Sequence, residues 1–162
     1  CIILLLLVRV PPLSYLLSLL DALPFLALFL NLVWEIVQWP LFTIPTARSM
    51  AQIVYVIAHC TVGDAVIAAV SFAIASLLLR DADWPLVEPW RGGIIVMWLG
   101  VMYTSYSEWR NVYEAGNWGY SSNMPLIYGV GLAPLVQWIF IPVAAILILR
   151  ASTQTKTLTT ER

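Results

Sequence analysis

Asn31, Glu35 and Gln38 recur at i, i+4 and i+7, Gln52, Tyr55 and His59 repeat that spacing, and Thr104, Ser107, Glu108 and Asn111 make a third polar run. On helices, each run falls on one face. His59 with Glu35 and Glu108 is an imidazole and carboxylate set that suits Zn or non-haem Fe, and a bound metal would generate hydroxide or activate oxygen. The same groups suit proton or substrate passage, with Glu35 and Glu108 at an outer vestibule and His59 and Asp64 as successive relay points. The stripes can also be plain interhelical hydrogen bonds, with Glu108 paired to Arg110 or Arg48 and His59 bonded to a backbone carbonyl. The chain has one His and no HExxH, HxxxH or paired ExxH, which weighs against a His-rich metalloenzyme. It also has no nucleophile elbow, P-loop, dinucleotide fingerprint or CxxC.

The surroundings of these residues explain why they matter. Of 162 residues, 61% are hydrophobic and 10% charged, against about a quarter charged in a soluble domain. This composition is that of a membrane protein, and a net charge of −1 leaves no basic surface for nucleic acid. Between Ser49 and Leu79 only His59 and Asp64 among the classical charge carriers interrupt the apolar run. Burying a charge in hydrocarbon costs about 2.5–3.5 kcal/mol on insertion scales, so such groups turn toward protein or a wet cavity.

Four segments have the roughly 20 apolar residues that a spanning helix needs. They are 21–39, with Asp21 as N-cap and Pro24 in the first turn, about 49–79, closed by Arg80, about 92–114, and 124–149, capped by Ser122 or Asn123. The predicted architecture is therefore all-α, a transmembrane bundle of four helices within residues 21–150. Residues 1–20 read as an interfacial or truncated N-terminal segment, broken by Arg9, Pro11 and Pro12, and 151–162 as a disordered cytoplasmic tail. Arg9, Arg80, Arg91, Arg150, Lys156 and Arg162 then share one side, opposite Arg48 and Arg110, which places both termini in the cytoplasm. Trp39, Trp84, Trp90, Trp109, Trp118 and Tyr120 fall near predicted ends, as interfacial anchors would. Cys1 and Cys60 cannot form a disulfide framework and leave the redox compartment open.

Depth gathers the polar positions. By rise per residue, Glu35 and Glu108 lie about 6–12 Å below the outer boundary and His59 about 15 Å below it. Asp64 lies deeper, level with Gln137 on the fourth helix. Five helical residues rotate by about 140°, so His59 and Asp64 face different neighbours and are not a direct pair. Ala65, Ala69 and Ala73 offer a small-residue face for close packing. Pro134 and Pro142 free the carbonyls of Val130 and Trp138, for which Asp64 or a water is a candidate partner. The expected polar cavity thus holds Asn31, Glu35, Gln52, His59, Asp64, Glu108, Asn111 and Gln137, with Glu35, His59 and Glu108 as the metal set for Zn or Fe.

"NLVWEIVQWPLF", "HCTVGD", "SEWRNV" and "WGYSSNMP" together resemble a family of small multi-pass bacterial inner-membrane proteins without an assigned activity. The resemblance spans most of residues 30–142. It implies a shared inner-membrane fold, no reaction and no catalytic residue. The leading functional expectation is a scaffold or accessory subunit of a membrane complex, in contact with lipid and with a membrane-protein partner or further copies of itself. The alternatives are an intramembrane metal-dependent enzyme and a small proton or substrate transporter component.

Overall fold

A computed structural model describes the backbone over residues 13–43 and 49–160, and side chains over 25–43 and 49–152. Readings that fall on Arg9, Pro11, Pro12, Arg48 and Cys1 lie outside the described residues. The fold is all-α apart from short ladders: α1 (Leu13–Gln38), a 3-10 turn (Trp39–Leu41), β1 (Phe42–Thr43), α2 (Met50–Leu79), α3 (Trp84–Val87), α4 (Pro89–Trp109), a π-helical segment (Arg110–Glu114), β2 (Gly119–Tyr120), β3 (Leu126–Ile127), β4 (Val130–Gly131) and α5 (Leu132–Thr160). Helix α1 packs on α2, α2 on α4, α4 on α5 and α5 on α1, so the four long helices close a ring. Two of them, α2 and Leu132–Ser152 of α5, are long and apolar enough to cross a membrane.

Helix α2 has definite ends because its flanks carry capping chemistry. The Ser49 hydroxyl accepts from Gln52 N at 3.3 Å while Gln52 Oε1 accepts from Ser49 N at 3.0 Å, a reciprocal capping box. Arg80 ends the helix in the left-handed region at φ 52°, a position that favours glycine. The other boundaries depart from expectation. Helical backbone begins at Leu13, so Asp21 is inside α1 and is not its N-cap. The fourth helix begins at Leu132, not 124, because Tyr128 and Gly129 at φ 49° and 84° turn the β3–β4 hairpin. Ser122 and Asn123 therefore cap nothing, Pro134 sits in the first turn and costs no hydrogen bond, and Val130 lies in β4. At the other end α5 continues to Thr160 through the tail expected to be disordered, with no Gly or Pro after Pro142 to stop it.

The tightest packing follows one stripe of α4. Gly92, Val96, Gly100, Thr104 and Glu108, spaced by four, are all buried on the same face. Trp84 covers Gly92 and Trp138 covers Gly100 so closely that a Cβ at either glycine would fall within the indole. Each indole N–H finds a hydroxyl: Trp84 Nε1 donates to Ser76 at 3.1 Å and Trp138 Nε1 to Thr104 at 2.6 Å. Trp84 is 1% exposed and packs with Phe72, Ala75, Val96 and Ile146, so it is a core residue and not the interfacial anchor expected. On α2 the buried positions are Thr61, Ala68, Ser71, Phe72 and Ala75; Ala69 and Ala73 are exposed, which corrects the Ala65–Ala69–Ala73 face.

Polarity is inverted relative to a water-soluble bundle. Phe25, Phe29, Val66, Leu77, Trp98, Phe140 and Leu147 are exposed on the outside of the ring, while Asn31, Glu35, Gln38, Thr104, Glu108 and Gln137 are buried within it.

Candidate functional site

The four long helices leave a cavity of about 550 Å³ at the end of the ring where β1 pairs with β2. The Phe42–Tyr120 register joins the two loops expected on one side of the molecule, and Ser121 N donates to Leu41 O at 2.9 Å beside it. Trp118 lines the cavity, and Tyr120, two residues on in the same extended segment, reaches Glu108. On the α2–α4 side the lining includes Tyr55, His59, Gly63 and Tyr103, all exposed, so the cavity opens between these helices.

Gln137 is the centre of the deepest polar contact. From α5 its amide donates to Asn31 Oδ1 of α1 and to Asp64 Oδ2 of α2, each at 2.7 Å, and Asn31 Nδ2 donates to its own helix at Ala27 O. Three helices are thereby tied at one level. The Glu35 carboxyl is within hydrogen-bonding reach of Asp64 and accepts from Gln38 Nε2 at 2.7 Å; Gln38 Oε1 in turn accepts from Trp34 Nε1 at 3.0 Å. A contact between two carboxyl groups is satisfied when one of them carries a proton and donates it. Glu108, 6% exposed, faces the same cavity from α4 and accepts from the Tyr120 hydroxyl at 2.7 Å. Burial and the adjacent Glu108 hold that phenol above its ordinary range, so it remains a donor. The buried Trp118 Nε1 lies beside the Glu108 carboxyl on the same side of the cavity.

The expected site residues divide into three groups. Asn31, Glu35, Asp64 and Gln137 form the connected core just described. Glu108, His59 and Asn111 line the cavity but bond elsewhere. Asn111 holds the π-helical turn, donating to Ser107 O at 2.8 Å and accepting from Asn117 Nδ2 at 2.7 Å. His59 stacks on Tyr55 with ring centroids 5.9 Å apart and, among the described residues, shows no bond to a backbone carbonyl. Gln52 lies outside the cavity, engaged in the α2 cap.

The metal set is not assembled. Among the described residues no three His, Cys, Asp or Glu side chains, Glu35, His59 and Glu108 included, are placed together as a metal-binding group for Zn or Fe. The reason is rotational: α2 turns Asp64 inward to Glu35 and Gln137, and a side chain five residues away must then point about 140° off. Two other expected residues have different partners. Glu108 is paired with Tyr120 and not with Arg110, whose side chain is on the exposed surface. Asp64 is found with Gln137 and Glu35.

Sequence reading missed Tyr120 as the donor to Glu108, and Trp118 and Cys60 as cavity residues. The period-two spacing of Trp118 and Tyr120 was the available signal for the first two; Cys60, half-buried, had none. The chain matches no protein-family model, no curated protein and no solved structure.

Proposed function

We propose that this chain is a multi-pass protein of the bacterial inner membrane, with α1, α2, α4 and α5 as its four spans and both termini in the cytoplasm. The cavity then opens toward the outer half of the bilayer and takes up protons or a small cationic solute, as a component of a transport system. The inverted polarity supports the membrane placement: an apolar exterior around buried Asn, Gln and Glu is the arrangement that hydrocarbon solvent requires.

The observation that carries the functional reading is the Glu35–Asp64 contact at the floor of an open cavity that Glu108 also lines. Fold-fixing hydrogen bonds in membranes are worth only about 0.6 kcal/mol on average, too little to balance burying three carboxyl groups for structure alone. A proton that bridges two carboxyls at an open cavity can be exchanged. The test is proton flux in proteoliposomes of the purified full chain. Wild-type flux that is lost in Asp64→Asn and Glu35→Gln supports the reading, and flux equal to that of empty liposomes overturns it.

A second reading, a scaffold or accessory subunit, draws on the Asn31–Gln137–Asp64 chain, because a joint across three helices fixes a bundle for presentation to a partner. Co-purification in mild detergent at native expression tests it; a single species with no partner opposes it.

A further inference from the structure

A second cavity, of about 460 Å³, lies between α4 and α5 at the opposite end of the ring. On α4 it follows Trp90, Gly93, Ile94 and Met97, and on α5 it follows Trp138, Ile139, Pro142, Val143, Ile146, Leu147 and Arg150. Arg150 supplies the charge in this otherwise apolar lining. From Trp138 to Arg150 the groove runs along twelve residues of helix, about 18 Å, close to the ~15 Å of one hydrocarbon leaflet. Gly93 leaves its α4 wall without a side chain, and Pro142, inside α5, removes one helix N–H from the other wall.

The ends of the groove are chemically different. Trp138 closes its inner end, buried against Gly100. At the outer end stand Arg150, half-buried, and Trp90, exposed at the head of α4, the pair of side chains that a headgroup region accommodates. The nearby Arg91 is already paired with Glu88 at 2.7 Å, whereas Arg150 makes no ion pair among the described residues. An unpaired guanidinium presents a fork of donors suited to a phosphate.

We propose that this groove is a binding site for an anionic phospholipid of the cytoplasmic leaflet, with one acyl chain laid between α4 and α5 and the phosphate held by Arg150. The proposal rests on the membrane placement above. The lipid covers the face left open between the two helices and supplies the counter-charge that no described residue of the chain does. A second copy of the chain, whose acidic groups at this end are Asp81, Asp83 and the Arg91-paired Glu88, is the alternative occupant that the experiment tests.

The experiment is native mass spectrometry of the full chain in detergent, titrated with phosphatidylglycerol, phosphatidylethanolamine or glycerol phosphate, after carbonate extraction of the source membranes. Wild type is expected to retain one phosphatidylglycerol about fivefold more tightly than phosphatidylethanolamine, the effect of a single cationic side chain at a headgroup. Glycerol phosphate, which lacks the chain, is not retained. Arg150→Gln removes the headgroup preference, while Val143→Trp, on the exposed rim, fills the groove and lowers retention of both lipids. Equal retention of the two lipids by wild type, an unchanged preference in Arg150→Gln, retention of glycerol phosphate alone, or a dimer that Val143→Trp disrupts overturns the proposal. Release of the chain by carbonate overturns the membrane placement and the lipid site together; a chain that stays in the membrane without headgroup preference overturns the lipid site alone.

Discussion

The buried face of α4 serves two different halves of the molecule. Toward α3 it presents Gly92, Val96 and Gly100, and two indoles close over them until no space remains; toward β2 it presents Thr104 and Glu108, and the helices stand apart around a cavity of about 550 Å³. The same four-residue spacing thus produces a sealed half and an open half. Small side chains admit a large aromatic ring and convert proximity into dispersion energy. A carboxyl on the same line cannot be covered that way, because it needs donors and water, and its neighbours Tyr120, Gln137 and Asp64 hold the helices at hydrogen-bonding distance instead. The close aromatic packing is concentrated in the sealed half, and the buried carboxyl groups in the open one.

Substitutions can break that division. Trp84→Ala empties the sealed half of its largest ring and is expected to cost about 3–5 kcal/mol, read by thermal or denaturant unfolding in detergent. Gly100→Val drives a branched side chain into the Trp138 indole and is expected to cost about 1–3 kcal/mol in the same assay, while Gly63→Ala, where a Cβ meets nothing within 4 Å, is expected to change stability little. Gln137→Leu withdraws the donor shared by Asn31 and Asp64 and should cost about 1–2 kcal/mol. Asp64→Asn is the informative contrast: within about 0.5 kcal/mol of wild type or more stable, yet inactive in proton flux, since a neutral amide still accepts from Gln137 and can donate to Glu35. The smallest effect expected is a gain of about 0.5–1 kcal/mol from Arg80→Gly, which relieves the left-handed helix end. A stability loss in Asp64→Asn as large as that in Trp84→Ala would erase the distinction between the halves.

Much of this was legible in the residues, and the failures have physical causes. The ends of α2 could be read because Ser49 and Arg80 flank an uninterrupted apolar run. The start of α5 could not, because Leu126, Ile127 and Val130 are as apolar as a helix, and only Tyr128-Gly129 reports the hairpin. Depth along the helices brought Asp64 level with Gln137, where they bond at 2.7 Å. Rotation about the helix axis was harder: periodicity puts His59 on a polar stripe but does not say which stripe turns inward. The ring accepted Asp64, and His59 was left at the exposed rim against Tyr55. The Gly92–Glu108 line shows the converse. Its spacing is plain in the sequence, but its meaning depends on Trp84 and Trp138, which arrive from other elements.

Inverted polarity is the claim on which both cavities depend, and single-cysteine labelling in intact membranes tests it directly. In a background with Cys1→Ser and Cys60→Ser, Ser107→Cys samples the lining of the acidic cavity and Val66→Cys the exposed apolar exterior of α2. A membrane-impermeant maleimide is expected to label Ser107→Cys and to leave Val66→Cys unmodified until the membrane is dissolved. Labelling of Val66→Cys as fast as Ser107→Cys would mean that the apolar exterior faces water, and would contradict the membrane placement.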